Sequence, residues 1–427
     1  MQNADTIVVG AGLAGAAAAL RLSKAGRRVT LLEARARCGG RGYKRPYAGD
    51  GVELEFGGAW ITPWHMRIRA LVQDLGLSLR PRCGVSKRFW LHDGMSDGEG
   101  PATAQHMVAH ERAIARVAAD AILLKTGQSI NEKGQALTGI SFRDYLDRLD
   151  CPKSTRDIFS AWWTVSGNGE HEKVAASEFL ASCAYDNGLA EGMINFWSDT
   201  VVPGMDALAE RMIEESGANL IVSEPVVSVR QTNSHVELSS ESGVHQAPSA
   251  ILALGLNQLA PLHFTPGLSP GKRDAITLGH GGRSFKLWVR MEGVPVGTLV
   301  TGDGNGIEFA FAERSTRDGS TYVVAFGLMQ DGNRPADAAW VSAQMAKLMP
   351  NARVLSHDWH DWVNDPYARG TWVAAFAGHE LQLDTANWQP EGRIAFASSD
   401  YARLQAGWFE GAVIAGEDAA DAVLKFS

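Results

Sequence analysis

The N-terminal part of the chain contains the feature that most limits its possible folds: a strand, a glycine-rich turn, a helix and a second strand in succession. Thr6–Ala34 reads TIVVGAGLAGAAAALRLSKAGRRVTLLEA, a β-branched run followed by apolar residues at helical spacing and a second apolar run. Gly10, Gly12 and Gly15 allow a tight turn and a close backbone approach to a pyrophosphate, which the helix N-terminus attracts. Glu33 ends the second strand, where a carboxylate can accept hydrogen bonds from ribose hydroxyls. This order of elements predicts a dinucleotide-binding βαβ unit.

Three further blocks indicate which dinucleotide is bound. Ala34–Arg41 reads ARARCGGR, Glu53–Trp60 reads ELEFGGAW, and Gly407–Val413 reads GWFEGAV. A nicotinamide dehydrogenase needs neither a second glycine pair nor a glycine-rich block near the C-terminus. In combination the blocks resemble the flavin-containing amine oxidase family, to which the monoamine oxidases and bacterial 6-hydroxy-L-nicotine oxidase belong. The resemblance extends from Thr6 to about Ala422.

The resemblance implies an α/β fold, the amine oxidase fold, in which a Rossmann-type FAD-binding domain is joined to a discontinuous α+β substrate domain. A chain of 427 residues is also long enough for two domains. We expect residues 1–80, 203–280 and 385–427 to form the FAD-binding domain. Residues 81–202, which include a helical insertion, and residues 281–384 are expected to form the substrate-binding domain.

Hydrophobic patterns in the second half of the chain support this division. Alternating residues rich in β-formers at Ser284–Met291, Gly306–Glu313 and Thr321–Leu328 predict an antiparallel sheet. Gly407–Val423 is predicted to form the helix that completes the FAD-binding domain.

The residues expected to bind FAD follow from the positions that match the family blocks. They are Gly10, Gly12, Leu13, Ala14, Gly15, Glu33, Ala34, Arg35, Gly39, Gly40, Arg41, Gly57, Gly58, Ala59, Trp60, Val226, Trp362, Ser399, Asp400, Trp408, Phe409, Glu410 and Ala412. The resemblance implies that Val226, which follows Pro225, contacts adenine through its backbone and that Trp362 packs against the flavin. Thr371 stands where mammalian monoamine oxidases have a flavin-linking cysteine, so non-covalent FAD is predicted.

Lys286 is the first residue predicted to be catalytic. Strand alternation places it on one face with Trp288, and an exposed strand lysine is the ordinary alternative. Together with the preceding block Gly279–Gly282, however, it resembles the family segment whose lysine holds a water near flavin N5. A cation at that position would stabilise the negative charge that develops on the reduced flavin and on oxygen.

Trp372 and Trp408 are also predicted to be catalytic, because they match the two family positions whose aromatic rings sandwich the amine. Aromatic faces carry partial negative charge and can guide an amine. The chain has 13 tryptophans, so core packing is the alternative for any two of them. The predicted substrate pocket consists of Trp162, Trp163, Phe309, Phe311, Trp372 and Trp408. For the adjacent Trp162 and Trp163, core packing is the favoured interpretation, although the resemblance implies that this region also lines the substrate cavity.

Composition excludes several other classes of function. The net charge of −8 and the lack of a Lys/Arg cluster argue against nucleic-acid binding. No secretory signal and no apolar run of membrane-spanning length is found, so a bacterial cytoplasmic protein without membrane attachment is expected. The four cysteines lack CxxC spacing, which favours reduced thiols, and His357 and His360 are too isolated for a metal site, so no metal is predicted.

These features predict an FAD-dependent oxidase of a small primary or secondary amine. Hydride would pass from the amine α-carbon to flavin N5, an imine would leave, and dioxygen would be reduced to hydrogen peroxide. A small apolar or aromatic amine is favoured over a long polyamine, and a homodimer is a further prediction. Two alternatives stay open: a flavin-dependent desaturase of carbon–carbon bonds, and a non-catalytic flavin-binding interaction protein.

Overall fold

A five-stranded parallel sheet contains the N-terminal strand. The computed structural model describes residues 4–92, 95–97, 105–166, 168–185, 198–302 and 306–426. The strands of this sheet lie in the order Asn219–Ile221, Val29–Leu32, Thr6–Val9, Ser249–Leu252 and Ile394–Phe396. Thr6 pairs with both Val29 and Ser249, so the N-terminal strand is central and buried. Because its strands are parallel, their carboxyl ends meet at one edge, where ligands of open α/β sheets bind.

The helix that follows the glycine-rich turn packs closely against the C-terminal helix. The first helix is Leu13–Lys24 and the last is Phe409–Val423, within the predicted segment Gly407–Val423. A Cβ atom on Gly416 would lie 2.1 Å from the Ala14 carbonyl oxygen, so only glycine permits this contact. The contact brings the N-terminus of the last helix to the same edge of the sheet as the glycine-rich turn.

A seven-stranded sheet forms the second large element. Its strands lie in the order Arg353–Trp359, Ser284–Glu292, Thr321–Leu328, Ile307–Ser315, Thr298–Thr301, Lys87–His92 and Met95–Asp97. Ser284–Glu292, Thr321–Leu328 and Ile307–Ser315 pair in antiparallel fashion, which confirms the prediction from alternation. One face packs against helix Lys153–Ser166, and the other against helix Ala338–Leu348.

Smaller sheets and helices complete the described structure. A four-stranded sheet contains Val244–Ala247, Val236–Ser239, Ser228–Gln231 and His263–Thr265, and a hairpin pairs Lys44–Pro46 with Glu53–Glu55. The other α-helices are Met66–Asp74, Met107–Lys125, Phe142–Asp147, Ala176–Tyr185, Met205–Ser216, Leu256–Leu259 and Pro270–Leu278, and the 3₁₀ helices are Glu380–Leu383, Thr385–Trp388 and Ser399–Tyr401. Across the described ranges, no helix combines the length and apolar character needed to cross a membrane.

The two large sheets follow the predicted division of the chain. All strands of the parallel sheet fall within residues 1–80, 203–280 and 385–427, and all strands of the seven-stranded sheet fall within 81–202 and 281–384. A three-stranded sheet of Trp60–Ile61, Asp199–Val202 and Ser78–Pro81 joins segments from both groups. The domain boundaries themselves therefore stay a proposal.

Candidate active site

A cavity of about 520 Å³ extends from the carboxyl edge of the parallel sheet to the seven-stranded sheet. Most of the residues predicted to bind FAD line it. They are Gly10, Gly12, Leu13, Ala14, Glu33, Ala34, Arg35, Gly39, Gly40, Arg41, Gly57, Gly58, Ala59, Trp60, Val226, Trp362, Ser399, Trp408, Phe409 and Ala412. Lys286 and Trp372 line the same cavity. Residues from distant parts of the sequence are thus brought together around one elongated space.

Two glycine-rich turns form the part of the wall next to the first helix. Gly10 has φ +101°, and a Cβ atom there would lie 2.6 Å from the Ala253 carbonyl oxygen. A Cβ atom on Gly12 would lie 3.7 Å from Gly40 Cα, so the two turns are in backbone contact. The first turn of helix Leu13–Lys24 forms part of the cavity wall, because its first two residues line the cavity. This arrangement fits a pyrophosphate, which binds backbone amides at a helix N-terminus.

Glu33 lies where the second strand of the parallel sheet ends. The residue is buried, and its carboxylate accepts hydrogen bonds from the Ala11 and Arg35 amides, both at 2.8 Å. Val226 lies on the wall of the same cavity. These backbone hydrogen bonds hold the carboxylate at the cavity, and its contact with a ribose remains a prediction.

Arg41 connects three separate segments beside the cavity. Its guanidinium donates to the Thr371 carbonyl at 2.7 Å, to Ser399 Oγ at 2.9 Å and to Asp400 Oδ1 at 2.7 Å. Asp400 is fully buried. The ion pair therefore fixes Arg41 at the cavity wall and ties it to the loop that carries Trp372.

Lys286 lies on strand Ser284–Glu292 and is only 6% exposed, which excludes the interpretation as an exposed strand lysine. Its Nζ donates a hydrogen bond to the Gly57 carbonyl at 2.9 Å. The same atom lies 5.1 Å from the centre of the Trp60 ring and 5.4 Å from that of the Trp288 ring. The carbonyl and the two aromatic faces stabilise an ammonium group at the cavity wall.

Two carboxylates act on the charge of Lys286. Burial lowers the pKa of Lys286 below that of an exposed lysine, because it removes water from the ammonium group. The negative charges of Glu55 and Glu313 oppose this decrease. Lys286 therefore changes between its charged and neutral forms at a lower pH than an ordinary lysine.

Trp372 and Trp408 both line the cavity and are partly exposed to it. The Trp408 ring lies 5.4 Å from the His65 ring, edge to face. Burial lowers the pKa of His65 to about 3, so this imidazole is neutral at neutral pH and adds no charge beside Trp408. The positions of the two indoles are compatible with the predicted aromatic sandwich.

Comparison with known proteins agrees with this geometry. The family of flavin-containing amine oxidoreductases matches residues 13–424. The chain belongs to this family. It is 29% identical to (S)-6-hydroxynicotine oxidase of Paenarthrobacter nicotinovorans, over 98% of this chain and 99% of that protein. It is 27% identical to pseudooxynicotine dehydrogenase of a Pseudomonas species, over 97% of this chain and 85% of that protein. The fold is that of putrescine oxidase bound to putrescine, with a TM-score of 0.85, 22% identity and 99% of each chain covered.

FAD is the cofactor of the amine oxidoreductase family, and the glycines of this cavity fit it. A Cβ atom on Gly57 would lie 2.0 Å from the Arg41 carbonyl oxygen, and one on Gly58 would lie 2.5 Å from the Phe409 ring. Side chains larger than hydrogen are therefore excluded where the backbone forms the wall. Together with the helix N-terminus and Glu33, this glycine-lined wall suits a long dinucleotide.

Non-covalent FAD binding remains a prediction for this amine oxidoreductase, and the wall composition supports it. Thr371 lines the cavity, and no cysteine or histidine of the described residues does. Burial raises the pKa of the nearby Cys38 thiol to about 11, which keeps it protonated and a poor nucleophile. Within the described ranges, no group of three or more His, Cys, Asp or Glu side chains is arranged to hold a metal ion.

Three predicted FAD-binding residues of the amine oxidoreductase do not line the cavity. Asp400 forms an ion pair with Arg41, and Arg41 in turn lines the cavity. The Asp400 carboxylate also accepts a hydrogen bond from the Leu256 amide at 2.9 Å. Glu410 accepts from two backbone amides at the start of helix Met66–Asp74, at 2.7 and 3.0 Å, so its carboxylate caps that helix. Gly15 allows the first helix to pack closely on the preceding turn, because a Cβ atom at this position would lie 1.9 Å from the Gly10 carbonyl oxygen.

Part of the predicted substrate pocket lies away from the cavity wall. Four residues lie in the hydrophobic core instead of on the cavity wall: Trp162, Trp163, Phe309 and Phe311. Val165 of the same helix lines the cavity, and two helical positions correspond to a rotation of roughly 200°, so Trp163 faces away. Phe309 lies behind Phe326, with ring centres 5.9 Å apart, and Phe326 lines the cavity. These positions favour core packing for the adjacent tryptophans.

Sequence reasoning missed Asn168, which fixes the positions of two segments of the site. The residue is buried with φ +79°, a conformation that asparagine tolerates better than most residues. Its side-chain amide donates to Thr371 Oγ1 at 2.8 Å and to the Trp372 carbonyl at 2.6 Å. Its oxygen accepts from the Arg283 and Ser284 amides, both at 2.5 Å. Asn168 thus joins the Trp372 loop to the strand that carries Lys286.

Proposed function

We propose that this amine oxidoreductase is an oxidase of a small primary or secondary amine, which it converts to an imine while dioxygen is reduced to hydrogen peroxide. The observation that carries the proposal is the buried ammonium of Lys286 in the same cavity wall as the indoles of Trp372 and Trp408. When bound, FAD accepts a hydride from the amine α-carbon at N5 and passes the electrons to dioxygen.

Apart from Lys286 and the nearby Arg41, the wall around Lys286 is apolar or neutral. Besides Lys286 it includes Trp60, Val165, Ser284, Phe326, Thr371, Trp372 and Trp408. Within the described residues, this part of the wall has no carboxylate and no imidazole. No carboxylate or imidazole is therefore placed there to remove a proton from a bound ammonium group, and Lys286 is itself protonated below its pKa, so the amine must be neutral when it reacts. The two indoles orient this neutral amine, and Lys286 stabilises negative charge that develops as oxygen is reduced.

The rate of anaerobic reduction by an amine is expected to rise with pH. Protonated amine predominates at low pH and must lose its proton before it can donate a hydride. Stopped-flow reduction of the oxidised holoprotein at saturating amine, measured from acid to alkaline pH, tests this expectation. A rate that is independent of pH over that range would contradict the requirement for a neutral amine.

The shape and charge of the wall also support a substrate class. Among the described residues, no carboxylate lines the part of the first cavity around Lys286, so a second ammonium group bound there would lack a partner, which disfavours a long polyamine. The relatives that are 27–29% identical are named for pseudooxynicotine, 6-hydroxynicotine and nicotine, which are compact compounds with an aromatic ring. We therefore propose a compact apolar or aromatic monoamine.

Replacing Trp372 or Trp408 with alanine is expected to lower kcat/KM for the best amine about 10-fold. An aromatic face contributes about 0.5–1.5 kcal/mol beyond its buried area, which corresponds to a factor of up to about 10. Phenylalanine at either position should retain most of the activity. Trp340→Ala is a matched control, because Trp340 packs against Phe285 outside this cavity. Equal losses in the control and the two cavity variants would contradict the orienting role.

The electron acceptor is the part of the proposal that the relatives leave open, because one is named an oxidase and another a dehydrogenase. The buried cation of Lys286 supports dioxygen. A panel of monoamines and diamines, assayed in air and anaerobically with an artificial acceptor, tests this choice. One peroxide per amine oxidised is expected. Turnover only with the artificial acceptor would instead identify a dehydrogenase.

The cellular location and the oligomeric state also stay predictions. The four cysteines Cys38, Cys83, Cys151 and Cys183 are free thiols, which is compatible with a reducing cytoplasm. A homodimer is proposed without a specific interface. Sedimentation of the purified holoprotein distinguishes it from a monomer.

A further inference from the structure

A second cavity, of about 190 Å³, lies next to Trp288, whose ring packs against Lys286. Ala59 lines both cavities. Trp288, whose ring centre is 5.4 Å from Lys286 Nζ, lines the second cavity and donates from Nε1 to the Glu55 carbonyl at 2.8 Å. Trp288 therefore connects Lys286, on the wall of the first cavity, with a separate polar space.

Two carboxylates face this second cavity with one oxygen each that lacks a hydrogen-bond partner. Glu55 Oε1 accepts from the Met205 amide at 3.0 Å, but Glu55 Oε2 is shielded from solvent and has no partner among the described residues. Glu313 Oε2 is likewise shielded from solvent and has no hydrogen-bond partner among the described residues. An unpaired buried carboxylate oxygen is costly, so such a group binds a proton or an internal water.

The charges around the two carboxylates come from several elements. Lys44, Arg80 and Arg314 line the cavity, and the charges of Arg82 and Asp206 act on Glu313 and Glu55 respectively. Burial raises the pKa of both glutamates, Asp206 raises that of Glu55 further, and the neighbouring cations oppose the increase. With polar groups on several sides, the cavity is suited to hold water.

We propose that the second cavity holds water and that Glu55 and Glu313 exchange protons with Lys286 through it. This inference rests on the proposed function, because reduction of dioxygen to peroxide consumes protons as well as electrons. The Lys286 ammonium gives one proton to the reduced oxygen as peroxide forms and becomes a neutral amine. A carboxyl O–H of Glu55 or Glu313 then gives its proton through water to that amine, which leaves a carboxylate and restores the ammonium. The carboxylate then regains a proton from the solvent side. Glu55 and Glu313 are positioning residues, since they act through Lys286.

The first test reads the carboxyl groups directly in the full-length holoprotein. Infrared difference spectra between acid and neutral pH are recorded for wild type, Glu55→Gln, Glu313→Gln and the double variant. Glu53→Gln is the control, because Glu53 lies at the rim of the same cavity and is exposed. A C=O stretch of protonated buried carboxyl groups is expected in wild type and control, weaker in each single variant and weakest in the double variant, where Glu178, whose pKa burial raises to about 7, still contributes. The same band in all proteins would overturn the proposal.

The second test separates this inference from the proposed function. Reoxidation by dioxygen after reduction is expected to be about 10-fold slower in the double variant, with a larger solvent deuterium isotope effect, while anaerobic reduction by amine is unchanged. Unchanged reoxidation and an unchanged isotope effect would overturn the proton exchange and leave the proposed function intact. Failure of every amine to reduce the wild type would instead overturn the proposed function. Equal FAD content and equal thermal unfolding midpoints establish that the variants fold. If the double variant does not fold, the reoxidation rates of the two single variants are compared with that of wild type instead.

Discussion

Replacing Lys286 with methionine is expected to slow the reaction of the reduced protein with dioxygen by about 100-fold, the usual effect of removing one electrostatic stabiliser from an enclosed site. Methionine keeps much of the side-chain volume but removes the charge that lies 2.9 Å from the Gly57 carbonyl. The measurement is stopped-flow mixing of the amine-reduced holoprotein with oxygenated buffer. FAD content and the rate of anaerobic reduction are expected to change much less.

The pH dependence of the same reaction distinguishes a charge effect from a structural one. Because burial lowers the pKa of Lys286, its positive charge is present below that pKa and is lost as the pH rises through it. The wild-type reoxidation rate should therefore fall at alkaline pH, whereas the methionine variant should show no such fall. Lys347→Met, at an exposed position on helix Ala338–Leu348, is the control. Equal rates for wild type and Lys286→Met would contradict the role given to the cation.

Replacing Gly15 with alanine is expected to yield protein that is nearly free of FAD and less stable by about 1–3 kcal/mol. The added methyl carbon would lie 1.9 Å from the Gly10 carbonyl oxygen and 3.2 Å from Ala253 Cβ. The first helix must then move away from the parallel sheet, and its N-terminus leaves the cavity wall. Alanine favours a helix by about 1 kcal/mol over glycine, so a loss of stability reports the steric contact. Flavin absorbance per protein and the urea unfolding midpoint measure the two effects.

A glycine without close neighbours provides the matched control. A Cβ atom on Gly267 would meet no atom within 4 Å, and its φ is not in the left-handed region, so Gly267→Ala should keep its FAD and its stability. If Gly15→Ala also kept both, the close packing of helix Leu13–Lys24 on the strand would be contradicted.

The sequence was sufficient to predict the parts of the site that are local in the chain. In Thr6–Ala34 the turn, the helix start and the acidic residue are set by neighbouring residues, and the structure places Gly10, Gly12 and Glu33 on one cavity wall. The role of Lys286 was predicted from the family resemblance, because the sequence pattern of a strand does not show whether its lysine is buried. Its contact with Gly57, 229 positions away in the chain, needed the folded structure.

Most of the predicted site residues that lie off the cavity wall share a physical cause, since their place depends on the direction in which a side chain points. Glu410 stands beside residues that line the cavity, yet it binds amides of Arg67 and Ile68, more than 340 positions away in the chain. The expected helical insertion within residues 81–202 did not determine that Val165 of helix Lys153–Ser166, and not Trp163, faces the cavity. Such directions are set by tertiary packing, which the sequence pattern does not encode locally.

Anaerobic titration of the oxidised holoprotein with a panel of amines, followed by admission of air, tests the central claim most directly. We predict that a compact apolar or aromatic monoamine bleaches the flavin absorbance and that air restores it with one hydrogen peroxide per flavin. A flavin that no primary or secondary amine reduces would contradict the assignment of amine oxidation to the cavity of Lys286, Trp372 and Trp408.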